Sequence, residues 1–138
     1  MRNFLVAQVL CLVSLSANAS AEVITIYKDP NCGCCIAWAE HISQAGYAMK
    51  VIDRGDISEI KKQLGVPESL RSCHTGVIGA TGQVIEGHVP ATVIPRLIAS
   101  RPTQGVAVPG MPANSPGMGR MDGKLVTVDF SGREFSRN

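Results

Sequence analysis

The stretch EVITIYKDPNCGCCIAWAEHISQAG, Glu22 to Gly46, decides the fold. Glu22 to Tyr27 is β-branched and aromatic, the composition of a strand. Lys28-Asp29-Pro30-Asn31 is a turn. A helix is expected from about Cys32 to Ala45, with Asp29 or Asn31 near its N-cap and Gly46 as its stop. Ile36, Ala39, Ile42 and Ala45 recur at helical spacing and are expected to face inward. The helix therefore opens on three cysteines in four positions, Cys32, Cys34 and Cys35. A thiolate there is stabilised by unpaired amides and by the positive end of the helix dipole.

Outward from this unit, Ala48 to Ile52 reads as a second strand. Asp56-Ile57-Ser58-Glu59 resembles a capping box that opens a short helix ending at Leu64-Gly65, and Val66-Pro67 breaks the chain. Thr75 to Ile78 and Gln83 to Glu86 read as a hairpin joined through Gly79-Ala80-Thr81-Gly82. A last helix is expected from Ala91 to Ser100, with Thr92 as its cap and Pro95 tolerated in the first turn. The order is β-α-β-α-β-β-α, an α/β domain over residues 22–100. From residue 101 to 138 the composition turns to Gly, Pro and Met. Leu125 to Phe130 is the one stretch there that reads as a strand.

The chain has 138 residues, room for one domain. Residues 1–21 read as a secretory signal peptide: Arg2, an apolar run from Phe4 to Leu15, then cleavage after Ala19 or Ala21. The run is too short to span a bilayer, so no membrane attachment is expected after cleavage. Cys11 would leave with it. Removing Arg2 takes the formal net charge from +2 to +1. That balance argues against nucleic acid, which calls for a basic patch or stripe. Cys32, Cys34, Cys35 and Cys73 remain, in an exported, oxidising compartment for which the periplasm is the expectation.

Cys32 and Cys35 are i, i+3 neighbours and can form a disulfide or share a metal ion. Cys34 lies about 200° round a regular helix from Cys32, so all three converge only where the N-terminus is partly unwound. Purely structural disulfides would need one of the three to reach Cys73 and the other two to join, although adjacent Cys34 and Cys35 pair poorly. Structural zinc takes two separated pairs of ligands, whereas three packed thiols and one alone suit bridging thiolates. Soft thiolates favour Cu(I), with zinc as competitor. A thioether is also a soft ligand, and Met111 and Met118 sit in Pro/Gly frames with little apolar company. His88 stands in the loop after the hairpin. His41, inside the first helix, reads as an ordinary surface residue, and Trp38 as core or as a cover for the cysteines.

The element order, with C-x-x-C at the first helix, resembles the thioredoxin fold. There a cis-proline precedes the third strand and faces the cysteines; here His74 stands at that place, with Cys73 before it. The chain resembles more closely the CopG-type family of copper-resistance proteins, through CGCC at 32–35, LGVPESLRSCHT, EGHVPA and VAVPGMPANSPGMG. The resemblance implies a thioredoxin-like domain whose C-terminal extension, as a lid, helps bind copper near the CxCC motif. It implies a periplasmic protein of copper resistance, with Cys32, Cys34, Cys35, Cys73, His74, His88, Met111 and Met118 as metal ligands. A multi-copper thiolate cluster and interconversion of Cu(I) and Cu(II) are expected. The alternatives are a thiol–disulfide oxidoreductase using Cys32 and Cys35, or a copper chaperone to an efflux system or another periplasmic copper protein. A monomer is expected, since no heptad or long amphipathic element is present.

Overall fold

In the computed structural model, which describes residues 20–138, β1 (Val23–Lys28) and β2 (Ala48–Asp53) run parallel. A parallel pair needs a crossover, and α1 (Gly33–Gln44) supplies it. The signal peptide expected over residues 1–21 falls, but for its last two residues, outside the described residues, and Cys11 with it. β3 (His74–Ile78) pairs antiparallel with β1 and sets His74 opposite Lys28. β4 (Val84–Glu86) pairs antiparallel with β3 and sets Glu86 opposite Thr75. α2 (Ser58–Gln63) lies between β2 and β3 in the chain, and α3 (Ile94–Ala99) follows β4. This is the thioredoxin-like α/β arrangement.

The tail continues the sheet. β5 (Gly105–Ala107) adds parallel to β4, β6 (Val126–Asp129) antiparallel to β5, and β7 (Glu134–Arg137) antiparallel to β6. The seven strands lie in the order β2-β1-β3-β4-β5-β6-β7. The strand expected within Leu125 to Phe130 is β6; β5 and β7 are additional. Ile24, Ile26, Trp38, Ile42, Ile78, Ile85, Leu97, Val106 and Leu125 form one buried cluster, so the tail contributes to the same core as the N-terminal strands. No helix among the described residues is long and apolar enough to cross a membrane.

Three expectations about α1 and α3 need correction. The N-cap of α1 is Cys32, in extended conformation, not Asp29 or Asn31. The Asp29 carboxylate is used one step earlier, accepting from the Asn31 N–H at 2.8 Å, while its carbonyl accepts from the Cys32 N–H at 3.1 Å. The inward face of α1 is Cys35, Trp38, Ala39 and Ile42; Ile36 and Ala45 are exposed. Each residue turns the helix by about 100°, so seating Cys35 and the large Trp38 inside rotates Ile36 outward. In α3 the cap is Val93 rather than Thr92, because Ala91–Val93 forms a 3-10 turn first; Pro95 does sit in the opening turn.

Candidate metal centre

The N-terminus of α1, the start of β3 and the loop after β4 meet at one end of the sheet. Cys32 and Cys35 are joined as a disulfide, leaving Cys34 and Cys73 as thiols. Because Cys32 is the N-cap and not yet helical, Cys34 is not held on the opposite side. Its Sγ lies 3.5 Å from that of Cys32. The sulfurs of Cys32, Cys34, Cys35 and Cys73 all lie within 4.8 Å of one another.

A second group shares Cys73. Ligand atoms of Cys73, His74 and His88 also lie within 4.8 Å of one another. His74 Nδ1 is 3.4 Å and His88 Nε2 3.1 Å from Cys73 Sγ. Both histidines are fully buried, contrary to the usual solvated state of a loop histidine such as His88. Trp38 packs its ring 4.3 Å from that of His74, centroid to centroid, and donates its indole N–H to Val89 O at 2.8 Å. Trp38 is therefore core and also the wall behind His74.

His88 is oriented by the tail. Its Nδ1 lies 2.7 Å from the Pro116 carbonyl. A carbonyl only accepts, so Nδ1 carries the proton and Nε2 presents a lone pair to Cys73. Gly117, at φ +86°, closes the strap formed by residues 109–118: a Cβ there would come within 2.8 Å of the Trp38 backbone nitrogen and 2.9 Å of the Cys34 carbonyl. Met118 follows Gly117, and Met111 follows Gly110, whose carbonyl accepts from the Ser72 hydroxyl at 2.5 Å. Both methionines are exposed, so they stand beside these contacts and open to solvent.

Electrostatics keep the site neutral. Burial, then the nearby Cys34, pushes the Cys73 thiol up to about 11. Burial, with His88 and Lys61 adding to it, holds His74 well below the usual imidazole value. Burial also lowers His88, against the opposing bond to Pro116. Both imidazoles are thus unprotonated near neutral pH, the form that binds metal. His74 Nε2 is buried without a hydrogen-bond partner. Such a donor set, soft and nitrogen-completed, can hold thiophilic ions.

Two groups carry no clear signal in the sequence. His41 is half-buried, not an ordinary surface residue: its Nε2 accepts from the Ala91 N–H at 3.1 Å and ties α1 to the segment after His88. Lys61 and Glu86 form a buried ion pair at 2.6 Å. A Lys on a short amphipathic helix and a Glu ending a strand give no sign of burial in the sequence; only the pairing across elements shows it.

Fold and site together define a thioredoxin-like protein with a cysteine-rich candidate metal centre. Residues 70–118 match a family model described as a protein of unknown function, DUF411. No curated protein matches the chain. A solved structure, "Copper resistance protein copG- Form 1", is 40% identical, covers 84% of this chain and 96% of its own, and superposes with a TM-score of 0.72. "Copper resistance protein copG- Form 2" is also 40% identical, covers 86% and 98%, and has a TM-score of 0.74. The chain belongs to the CopG family.

Proposed function

We propose that this protein binds copper at Cys32, Cys34, Cys35 and Cys73, with His74 and His88 completing the site, and that it serves copper resistance in the periplasm. The observation that carries the reading is the convergence of four sulfurs on a neutral histidine pair through the shared Cys73. Met111 and Met118 act as outer ligands on the strap. Copper is the cargo, and four thiolates that can bridge suit more than one Cu(I) ion. The His74 Nδ1, 3.4 Å from Cys73 Sγ, supports a bound ion, because it is the nitrogen turned towards the thiols. So does the Pro116 carbonyl behind His88, since metal-ligating histidines commonly donate their other N–H to such a group. Zinc accepts the same atoms and is the competitor.

The Cys32–Cys35 disulfide supports a redox role as well. Closing it from two thiols releases two electrons and two protons. The electrons reduce two Cu(II) to two Cu(I), and Cys34, Cys73, His74 and His88 remain to hold product. The reverse uses two Cu(I) and two protons to reopen the dithiol. The same disulfide favours a second reading, thiol–disulfide exchange by Cys32 and Cys35 with a protein or small-molecule substrate.

Copper per chain in the fully reduced protein tests the first reading. Several ions per chain are expected, and Cys34→Ser should sharply lower that number; an unchanged count sinks the cluster. Anaerobic addition of Cu(II) to the reduced chain should then yield two Cu(I) for each disulfide formed. Disulfide exchange that proceeds at full rate in Cys34→Ser, with no copper taken up by the parent, would establish the second reading instead.

A further inference from the structure

Glu86 ends β4 and is fully buried, yet it belongs to neither ligand group. One oxygen accepts from Lys61 Nζ at 2.6 Å and from the Ser72 backbone N–H at 2.6 Å. The other accepts from the Thr75 hydroxyl at 2.6 Å. Lys61 Nζ also donates to Thr75 Oγ1 at 2.8 Å. Ser72 and Thr75 flank Cys73 and His74 in the chain, so one carboxylate grips the dipeptide from both sides.

A buried ion pair is a poor device for stability alone, since an apolar pair of similar volume often serves as well. Its contacts here suggest another use. Ser72, held inward by Glu86, reaches outward through its hydroxyl to Gly110 on the strap. The Gly87 N–H donates to the His74 carbonyl at 3.1 Å. A Cβ on Gly87, at φ +71°, would come within 2.6 Å of the Val108 carbonyl and 2.8 Å of Ser72 Cβ. The corner has no slack, and every contact in it constrains where Cys73 and His74 point.

We propose that Glu86, neutralised by Lys61, is a positioning residue that fixes the Cys73–His74 pair as metal ligands. The inference rests on the copper reading above. Glu86 is not itself a ligand, because both its oxygens are engaged within the protein. Its absence leaves the sulfur and nitrogen present but free to turn away from the ion.

The test compares two double variants that leave no unpaired buried charge. Lys61→Met with Glu86→Gln keeps an amide oxygen for the Ser72 N–H. Lys61→Met with Glu86→Leu removes it. Both are loaded with Cu(I) under anaerobic conditions against a competing chelator, and X-ray absorption counts the sulfur and nitrogen neighbours of copper. The Leu pair should lose about 10–100-fold in affinity, the usual effect of removing a group that orients a metal ligand. It should also lose sulfur and nitrogen neighbours, while the Gln pair is rescued towards the parent on both measures. A folded Leu pair with parental affinity and spectrum overturns the proposal. Where the Leu pair fails to fold, Glu86→Asp answers the same question, because it keeps the charge and draws the oxygens back from Ser72. Weakened copper binding with a changed spectrum supports positioning, and parental values overturn it. A parent chain that takes up no copper overturns the copper reading and this inference with it. Where the parent loads normally, a loss in the Leu pair that the Gln pair does not share is traced to Glu86, since both carry Lys61→Met; an equal loss in both pairs overturns the proposal.

Discussion

One backbone carbonyl decides which nitrogen of His88 faces the thiols, and one glycine decides whether that carbonyl can be there. Gly117 combines a positive φ with contacts that leave no room for a side chain. Gly117→Ala should cost about 1–3 kcal/mol for the strained backbone, read as a lower denaturant midpoint in the metal-free protein. It should also weaken copper retention, because the Pro116 carbonyl withdraws with the strap. Retention matching the parent would show that the strap is not needed to orient His88. The candidate ligands were legible in the sequence because thiol, imidazole and thioether are rare and chemically explicit. Glu86 and Lys61 were not, because a charged residue is exposed unless something pairs it, and the partner lies 25 residues away. Ile36 misled because apolar spacing alone does not say which of two overlapping helical faces holds the larger side chains.

At the scale of elements, the first strand, α1, β2 and the β3–β4 hairpin follow from periodicity and turn residues. The tail does not. β5 is three residues long, set among Gly and Pro, and has no period to read; it forms because β4 offers it an open edge. An unpaired edge invites pairing, and Gly105 to Ala107 is buried in taking that place. Leu125 anchors the next turn of the tail: it is 4% exposed and pairs its backbone N–H and carbonyl with Asn138. Leu125→Ala should destabilise the whole domain by about 2–5 kcal/mol in one cooperative transition, the usual range for a buried leucine. Chemical denaturation followed by Trp38 fluorescence checks it. A separate early transition would mean that the tail folds independently of the core.

For the molecule as a whole, the buried site shapes the dependence of stability on pH. His74 and His88 have folded values below the ordinary 6.5, so the unfolded chain takes up more protons as pH falls. Stability from their neutral burial is complete above about 6.5 and declines below it. Cys73 acts on the other side. Its folded value of about 11 exceeds the ordinary 9.0, so the stability of the buried thiol is complete below 9.0 and is lost as pH rises towards 11. The metal-free protein with the Cys32–Cys35 disulfide closed should therefore be most stable between these limits, with melting temperature falling on both sides. His74→Asn should flatten the acid limb, and an acid limb identical to the parent's would assign that loss to other groups.

The carbonyl behind His88 also lies further along the chain than every cysteine and histidine of the site. Synthesis runs from the N-terminus, so Cys32, Cys34 and Cys35 emerge first, then Cys73, His74 and His88, and Pro116 well after them. A chain made only as far as His88 already owns these four thiols but has nothing to orient that imidazole. The order of the sequence thus sets an order of assembly: the thiols come first, and the group that turns the second imidazole towards them comes after.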